Sequence, residues 1–343
     1  MELDASRLLA TLLDRRDLAE TQAADLLRAL AAGGLDPALA GGLLVALKCK
    51  GEAPSEIRGF ALAMRELARR PAFPSGPPYV DIVGTGGDGS GSLNLSTGSA
   101  LLAAACGLPV IKHGNRSVTS QSGSADVLAA LGLPIPLDEA NARACLDAVG
   151  CTFLFAPHYH PAMQQIGPIR RALGVRTVFN ILGPLVNPAA PPYHVIGAAS
   201  EPIAALMADA LAEMPLERAF VIHGAQGWDE ATPIGAFSCY DVRNGCVTRT
   251  TRVPSDYGLA ICSTDALAGA DAATNAARLR AALSGADSQA HRDALALGAG
   301  LALEVTGSTP DLATGVARAR AAIADGDARR FLATLDAFLE TLR

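Results

Sequence analysis

The sequence predicts an α/β protein in which a small all-helical region precedes a larger α/β domain with a mainly parallel sheet. Three observations carry that expectation. Leu8, Leu9, Leu12 and Leu13 recur at helical spacing near the start. Pro71, Pro74, Pro77 and Pro78 then crowd around Ser75-Gly76 and break the helical pattern. Beyond them, short apolar runs alternate with helical stretches, the signature of parallel strands joined by helices.

From Ser6 to about Arg70 the chain reads as short helices, with Pro37 and Pro54 placed where new helices can start. A boundary is expected near residue 75. Tyr79–Val83 is the first strand, followed by a loop of five glycines and a helix beginning near Asn94. Leu108–Lys112 is the next strand, leading through a polar loop to a helix after Ser122. Tyr193–Ala198 and Ala219–His223 are further strands, and from about Ser288 the chain returns to helix rich in Ala and Leu. The polar loops follow strands, and in open α/β sheets such loops form the binding crevice.

At 343 residues, half of them hydrophobic, the chain can bury a large core. Its net charge of -6 argues against broad electrostatic capture of nucleic acid. Aromatic residues make up only 4%, too few for the stacking platforms of single-strand binders. No charged start followed by an apolar stretch stands at Met1, and the apolar run around Ala100 to Ile111 is too short for a bilayer. A soluble cytoplasmic protein with a small-molecule partner is expected, with no nucleic acid and no membrane. The seven cysteines are scattered without a C-x-x-C pair and read as reduced, mostly buried residues.

The most informative stretch is Asp81-Ile-Val-Gly-Thr-Gly-Gly-Asp-Gly-Ser-Gly-Ser-Leu-Asn-Leu-Ser-Thr97. Glycine permits positive φ and lets peptide N–H groups converge on an anion. Asn94, Ser96 and Thr97 stand at a helix start, whose positive end favours the same anion. The loop is neither G-x-G-x-x-G nor G-x-x-x-x-G-K-[ST], which disfavours a dinucleotide fold or a P-loop NTPase. Asp88 is the odd member, an acid beside a phosphate pocket that must hold sugar hydroxyls, a cation or its own loop.

Lys112-His-Gly-Asn-Arg-Ser-Val-Thr-Ser120 offers a second anion contact, and Ser122-Gly-Ser-Ala-Asp126 reads as a helix start with serines available for capping. Gly227-Trp-Asp-Glu230 places adjacent carboxylates after a strand. Magnesium accepts one or two carboxylates plus substrate oxygens, so Asp229 and Glu230 are the candidate pair. Arg170-Arg171 lies on a helix after His160-Pro-Ala-Met163, where an arginine forks onto a carboxylate or covers acidic helix ends. No H-E-x-x-H or G-x-S-x-G motif supports zinc or serine hydrolysis.

Taken in order, Asp81 to Thr97, Lys112 to Ser120, His160 to Met163, Arg170, Arg176-Thr-Val-Phe-Asn-Ile-Leu-Gly-Pro-Leu185 and Asp229-Glu230 closely resemble the anthranilate phosphoribosyltransferase family. The likeness runs through nearly the whole chain. It includes Ala46-Leu-Lys-Cys-Lys-Gly-Glu52, a segment shared more loosely with pyrimidine nucleoside phosphorylases. The resemblance implies magnesium-dependent transfer of phosphoribosyl from phosphoribosyl pyrophosphate to the amine of anthranilate, a step in tryptophan synthesis, by a homodimer. It also implies a helical domain at 1–75 completed by about 160–190, with 76–159 and 191–343 forming the phosphoribosyl-pyrophosphate-binding α/β domain.

Carried onto matching positions, Gly84, Gly87, Asp88, Ser92, Asn94, Leu95, Ser96, Thr97, Lys112, His113, Gly114, Asn115, Arg116, Ser117, Val118, Thr119, Ser120 and Ser124 hold the donor. Gly84, Asn115 and Arg170 face the aromatic acid, with Arg170 on its carboxylate. Ser96, Asp229 and Glu230 reach magnesium, and Lys112, Asn115 and Arg170 are the residues nearest the chemistry. The family pattern is broken at Trp228, Ala231-Thr232, Val186 and Gly298, and His158-Tyr159 is bulkier than usual. These departures point to the acceptor side as the place where a paralogue with another aromatic acceptor would differ. The same residues would also serve a related pyrimidine nucleoside phosphorylase, or a non-catalytic relative that binds nucleic acid or a phosphorylated metabolite.

Overall fold

The computed structural model describes residues 3–117 and 121–342. Four helices open the chain: α1 (Ala5–Leu13), α2 (Glu20–Ala32), α3 (Pro37–Lys50) and α4 (Pro54–Glu66). Asp36 accepts from the Ala38 N–H at 2.8 Å ahead of Pro37, and Glu56 Oε2 accepts from the Ala53 N–H at 2.7 Å ahead of α4. Lys50 explains the Ala46–Glu52 segment as a structural tie. Its buried ammonium meets Asp17 at 2.6 Å and Glu56 at 3.0 Å, fastening the α3–α4 turn to the start of α2.

The α/β part runs β1 (Val80–Gly84), α5 (Leu95–Ala105), β2 (Val110–Gly114), α6 (Ser124–Ala130), α7 (Glu139–Val149), β3 (Cys151–Phe155), α8 (Ala156–Tyr159), α9 (Met163–Leu173), α10 (Phe179–Leu182), β4 (Tyr193–Gly197), α11 (Glu201–Ala212), β5 (Arg218–His223), β6 (Phe237–Arg243) and β7 (Cys246–Arg252). It closes with α12 (Ala272–Leu283), α13 (Gln289–Val305), α14 (Leu312–Ala324) and α15 (Asp327–Thr341). The seven strands form one sheet in the order β3-β2-β1-β4-β5-β6-β7, parallel from β3 to β5 and antiparallel across β5, β6 and β7.

Two buried clusters flank the sheet. One is built from α5 to α7 and α12 to α15 against β1, β2 and β3. The other joins α1 to α4, α9 and α10 to α11 and the opposite face of β4, β5 and β6, through residues such as Ile166, Phe179, Leu185, Ile196 and Val221. Among the described residues no helix is long and apolar enough to cross a membrane, and all seven cysteines are free thiols.

Candidate active site

The strand order reverses at β1, which pairs with β2 on one side and β4 on the other. Ligand crevices of α/β sheets open at such a point, beyond the carboxyl ends of the strands. Here the two strand ends are Gly84 and Gly197, which are register partners. Asp229 lies over both. A Cβ on Gly84 would stand 2.3 Å from Asp229 Oδ2, and one on Gly197 would stand 1.4 Å from the Asp229 carbonyl oxygen. The glycines are therefore needed for the close approach of the acidic turn to the sheet. The turn itself closes where the Gly224 N–H donates to the Trp228 carbonyl at 2.8 Å.

The glycine loop is docked on the acid pair. The Gly86 N–H donates to Asp229 Oδ2 at 2.6 Å, and the Ser96 N–H, in the first turn of α5, donates to Glu230 Oε1 at 2.8 Å. Ser92 Oγ reaches Glu230 Oε2 at 3.4 Å. Asp88 holds its own loop with one oxygen, accepting from the Ser90 N–H at 3.0 Å and the Ser90 hydroxyl at 2.9 Å. Its other oxygen accepts from the Asp229 N–H at 3.2 Å. The far side of the loop is stitched to residues 267–269 by Leu93 N–H to Leu267 O at 2.9 Å and Gly269 N–H to Gly91 O at 2.8 Å.

Both acids are held well above the ordinary carboxylate range. Burial is the main cause for each, followed by the Asp88 charge at Asp229 and the Asp229 charge at Glu230. Such carboxylates retain protons unless a cation replaces them. Among the described residues no three His, Cys, Asp or Glu side chains gather closely enough to cage a metal alone. Two hard oxygen donors at an anion pocket instead suit a magnesium ion whose remaining ligands are phosphate oxygens and water. The residues present fit that ion.

Lys112 lies beneath the loop. Its ammonium donates to the Ile82 carbonyl oxygen and stands 3.5 Å from Ser96 Oγ. Burial lowers its pKa, against the opposing pull of the Asp81 and Glu230 charges. Asp81, absent from the sequence-based site, is fully buried and is pushed up to about 6 by burial, with Lys112 and Asn187 opposing the shift. Asn187 Nδ2 donates to Asp81 Oδ2 at 2.8 Å and to the Ile111 carbonyl at 2.9 Å. An acid inside the apolar run Tyr79–Val83 was the available signal for this partnership.

The second loop is held by Asp126, also absent from the sequence-based site. It accepts from Arg116 Nη1 at 2.8 Å, the Ser117 N–H at 3.1 Å and the Gly123 N–H at 3.0 Å. The expected serine cap of this helix is corrected here: Gly123 is the capping residue and Asp126 satisfies its N–H, because a carboxylate one turn into the helix reaches back to it. Ser124 Oγ instead donates to the Asn115 carbonyl at 3.2 Å, and Asn115 Oδ1 accepts from the Arg116 N–H at 2.7 Å. Gly114 leaves room for Ser124, whose Oγ would lie 2.3 Å from a Cβ there. Val118, Thr119 and Ser120 lie outside the described residues. Asn94 bridges the loops, donating to the Ser122 carbonyl at 3.0 Å and accepting from Asn275 Nδ2 at 2.9 Å.

The other sequence-selected residues hold contacts of their own. Leu95 and Thr97 are buried, and Thr97 lines an interior cavity with Lys112, so what they offer a ligand is the N–H of the first helical turn. The His113 ring is buried against His160, with centroids 5.1 Å apart, and burial keeps both imidazoles neutral, lowering His160 to about 4. Arg170 is half-buried over the Phe179 ring at 5.4 Å and pairs with no carboxylate among the described residues. Gly87 is met by Arg176, whose Nη1 donates to its carbonyl at 3.1 Å. Of the departures, Trp228, Ala231 and Val186 are buried core residues, while Gly298 on α13 faces Ser99, whose Oγ would lie 2.2 Å from a Cβ there.

This geometry has known counterparts. Residues 6–68 match the helical bundle domain of a glycosyl transferase family, and residues 76–329 match the a/b domain of the same family. Fold and site thus define a glycosyltransferase of this two-part class. Anthranilate phosphoribosyltransferase of Chloroflexus aurantiacus is 46% identical over 93% of this chain and 94% of its own. The crystal structure of the Thermus thermophilus enzyme of the same name superposes with a TM-score of 0.90 at 43% identity, covering 97% of this chain and 99% of the other. The Saccharomyces cerevisiae enzyme, solved in complex with PRPP and Mg, gives 0.89 at 27% identity over 99% of each chain. The chain belongs to the anthranilate phosphoribosyltransferase family.

Proposed function

We propose that the protein transfers phosphoribosyl from phosphoribosyl pyrophosphate to the amine of anthranilate, with magnesium, releasing pyrophosphate for tryptophan synthesis. One observation carries the reading. The glycine loop and α5 each turn an N–H onto one member of the Asp229-Glu230 pair, Gly86 onto Asp229 and Ser96 onto Glu230, which suits a cation held between that pair and a phosphate at the loop. Family membership supplies the acceptor. Homodimer assembly and a cytoplasmic setting belong to the same proposal and rest on that membership alone.

In this reading Ser96, Asp229 and Glu230 hold magnesium directly or through water. Bound there, the ion stabilises negative charge on the departing pyrophosphate. Lys112 adds a fixed positive charge beneath Ser96, and the glycine loop adds preorganised N–H groups. Gly84, Gly87, Asp88, Ser92, Asn94 to Thr97, Lys112 to Ser120 and Ser124 would hold the donor. Arg170, with uncommitted guanidinium donors, takes the acceptor carboxylate and aims the amine at C1 of the ribose. The aromatic amine already carries its lone pair, so the protein's task is alignment.

The deciding experiment incubates the protein with magnesium, phosphoribosyl pyrophosphate and a panel of aminobenzoates and identifies the product by mass spectrometry. Transfer to anthranilate is expected, and turnover of another acceptor alone would overturn the assignment. Replacing Arg170 by alanine is expected to raise the anthranilate KM at least about tenfold by removing a charge-assisted contact, with the donor KM within about twofold of wild type. A proportional loss in both substrates would count against its acceptor role.

Magnesium must displace the protons that the raised carboxylates retain. Its apparent affinity in the presence of donor should therefore climb as pH rises through the neutral range, about tenfold per pH unit for each proton displaced. Calorimetry in buffers of different ionisation enthalpy reads the released protons directly. A pH-independent affinity without proton release would remove the pair from the metal site.

A further inference from the structure

Two arginines six positions apart in the mid-chain segment reach different neighbours, Arg170 the Phe179 ring and Arg176 the Gly87 carbonyl. Arg170, in the last turn of α9, lies over Phe179, and Phe179 meets Phe60 of α4 edge-on at 5.9 Å. The helix ends at Gly174, whose N–H donates to the Arg170 carbonyl at 3.2 Å. Arg176 follows, exposed to solvent, and its one hydrogen bond among the described residues is the Nη1 contact with the Gly87 carbonyl.

The corner between them is stiff. The Thr177 N–H donates to Asn180 Oδ1 at 2.9 Å, and the Asn180 N–H donates back to the Thr177 carbonyl at 2.9 Å. Arg176 is thus set one residue before a closed turn that also carries Phe179. On the other side, Gly87 has a φ of +71°, and a Cβ there would stand 2.9 Å from Arg176 Nη1. Glycine at this position satisfies both the left-handed backbone and the approach of the guanidinium.

We propose that Arg176 is a positioning residue that couples the two substrate pockets, tying the segment that presents Arg170 to the glycine loop that receives the donor. The inference rests on the donor and acceptor assignments above. An acceptor carboxylate drawing on Arg170 loads the Phe179 stack, and the short stiff link from Phe179 to Arg176 passes that load to the Gly87 peptide. Donor phosphates settling on the Gly86–Asp88 peptides act on Arg170 along the same link in reverse. Linkage requires the two effects to be equal in size.

The test is an initial-velocity grid in phosphoribosyl pyrophosphate and anthranilate for wild type, Arg176→Gln and Arg176→Lys, paired with fluorescence titration of anthranilate with and without magnesium pyrophosphate. In wild type each ligand should change the apparent affinity for the other by about fivefold or more. Arg176→Gln should bring that factor close to one while anthranilate binding alone stays unchanged, and Arg176→Lys, which keeps a cationic donor, should restore part of it. A merely structural staple predicts a weaker donor KM with the coupling factor intact, and that result would overturn the proposal. A wild-type factor of one overturns it as well, with the transferase reading untouched. Wild-type protein that neither binds nor converts anthranilate overturns both.

Discussion

Replacing Asp229 and Glu230 together by asparagine and glutamine is expected to lower magnesium-dependent turnover by at least about a hundredfold, because a neutral amide pair cannot compete for the ion. The fold should survive the change. Asparagine keeps an oxygen for the Gly86 N–H, and glutamine keeps one for the Ser96 N–H. The stability effect has a sign that separates this pair from ordinary surface acids. Both groups have folded pKa values raised above their unfolded ones, so the stability present below the unfolded carboxylate range is lost as pH rises through the folded values. Without magnesium, the double amide should therefore melt at or above the wild-type temperature at pH 8, with little difference at pH 4, where the wild-type pair is protonated in the fold. Thermal scans at both values, beside the kinetics, check this. Full magnesium-dependent activity in the double amide would sink the metal assignment.

Gly197→Ala should be nearly as damaging, though residue 197 supplies no chemical group. The added carbon would meet the Asp229 carbonyl oxygen at 1.4 Å; that oxygen is backbone and a Cβ has no torsion of its own, so nothing can swing away. Either the end of β4 or the acidic turn must move by more than an ångström. Overpacking of this kind costs about 1–3 kcal/mol or more, and a displacement of about 1 Å in a positioned group costs about a hundredfold in rate. Gly34→Ala is the matched control, since nothing lies within 4 Å of its added carbon. The expected contrast is a large fall in kcat/KM and Tm for position 197 and almost none for position 34. Equal behaviour of the two would mean that the strand end does not set the place of Asp229.

Much of this was legible in the amino-acid order. Proline breakers, the leucine spacing of α1 and the apolar runs of β1, β2, β4 and β5 announced a helical part and a parallel sheet. The antiparallel hairpin was not legible, because Cys246-Val-Thr-Arg-Thr-Thr-Arg252 is an exposed edge strand with no buried face to impose alternation. The three loops of the site stood out because glycine, hydroxyls and charge concentrate where strands end. Partnerships across the chain did not stand out. Asn187 meets Asp81 over 106 positions and Arg176 meets Gly87 over 89, distances no local pattern encodes. The inward turn of His113 has a simpler cause: neighbours in a strand point to opposite faces, so Lys112 under the loop sends the next ring toward His160.

The packing of α9 and α10 onto the first four helices also bears on how the chain is made. Ile166, Phe179 and Leu185 complete the apolar interior around α2, α3 and α4, yet they are synthesised only after β1, β2 and β3. The amino-terminal helices leave the ribosome without the surface that finally covers them. Closing that gap brings together residues more than 100 positions apart, a high contact order that slows folding and leaves apolar faces open to aggregation meanwhile. A fragment ending before α9 should therefore be less soluble than the full chain, and nascent chains should gain protease resistance in a late step, once residue 185 has cleared the exit tunnel.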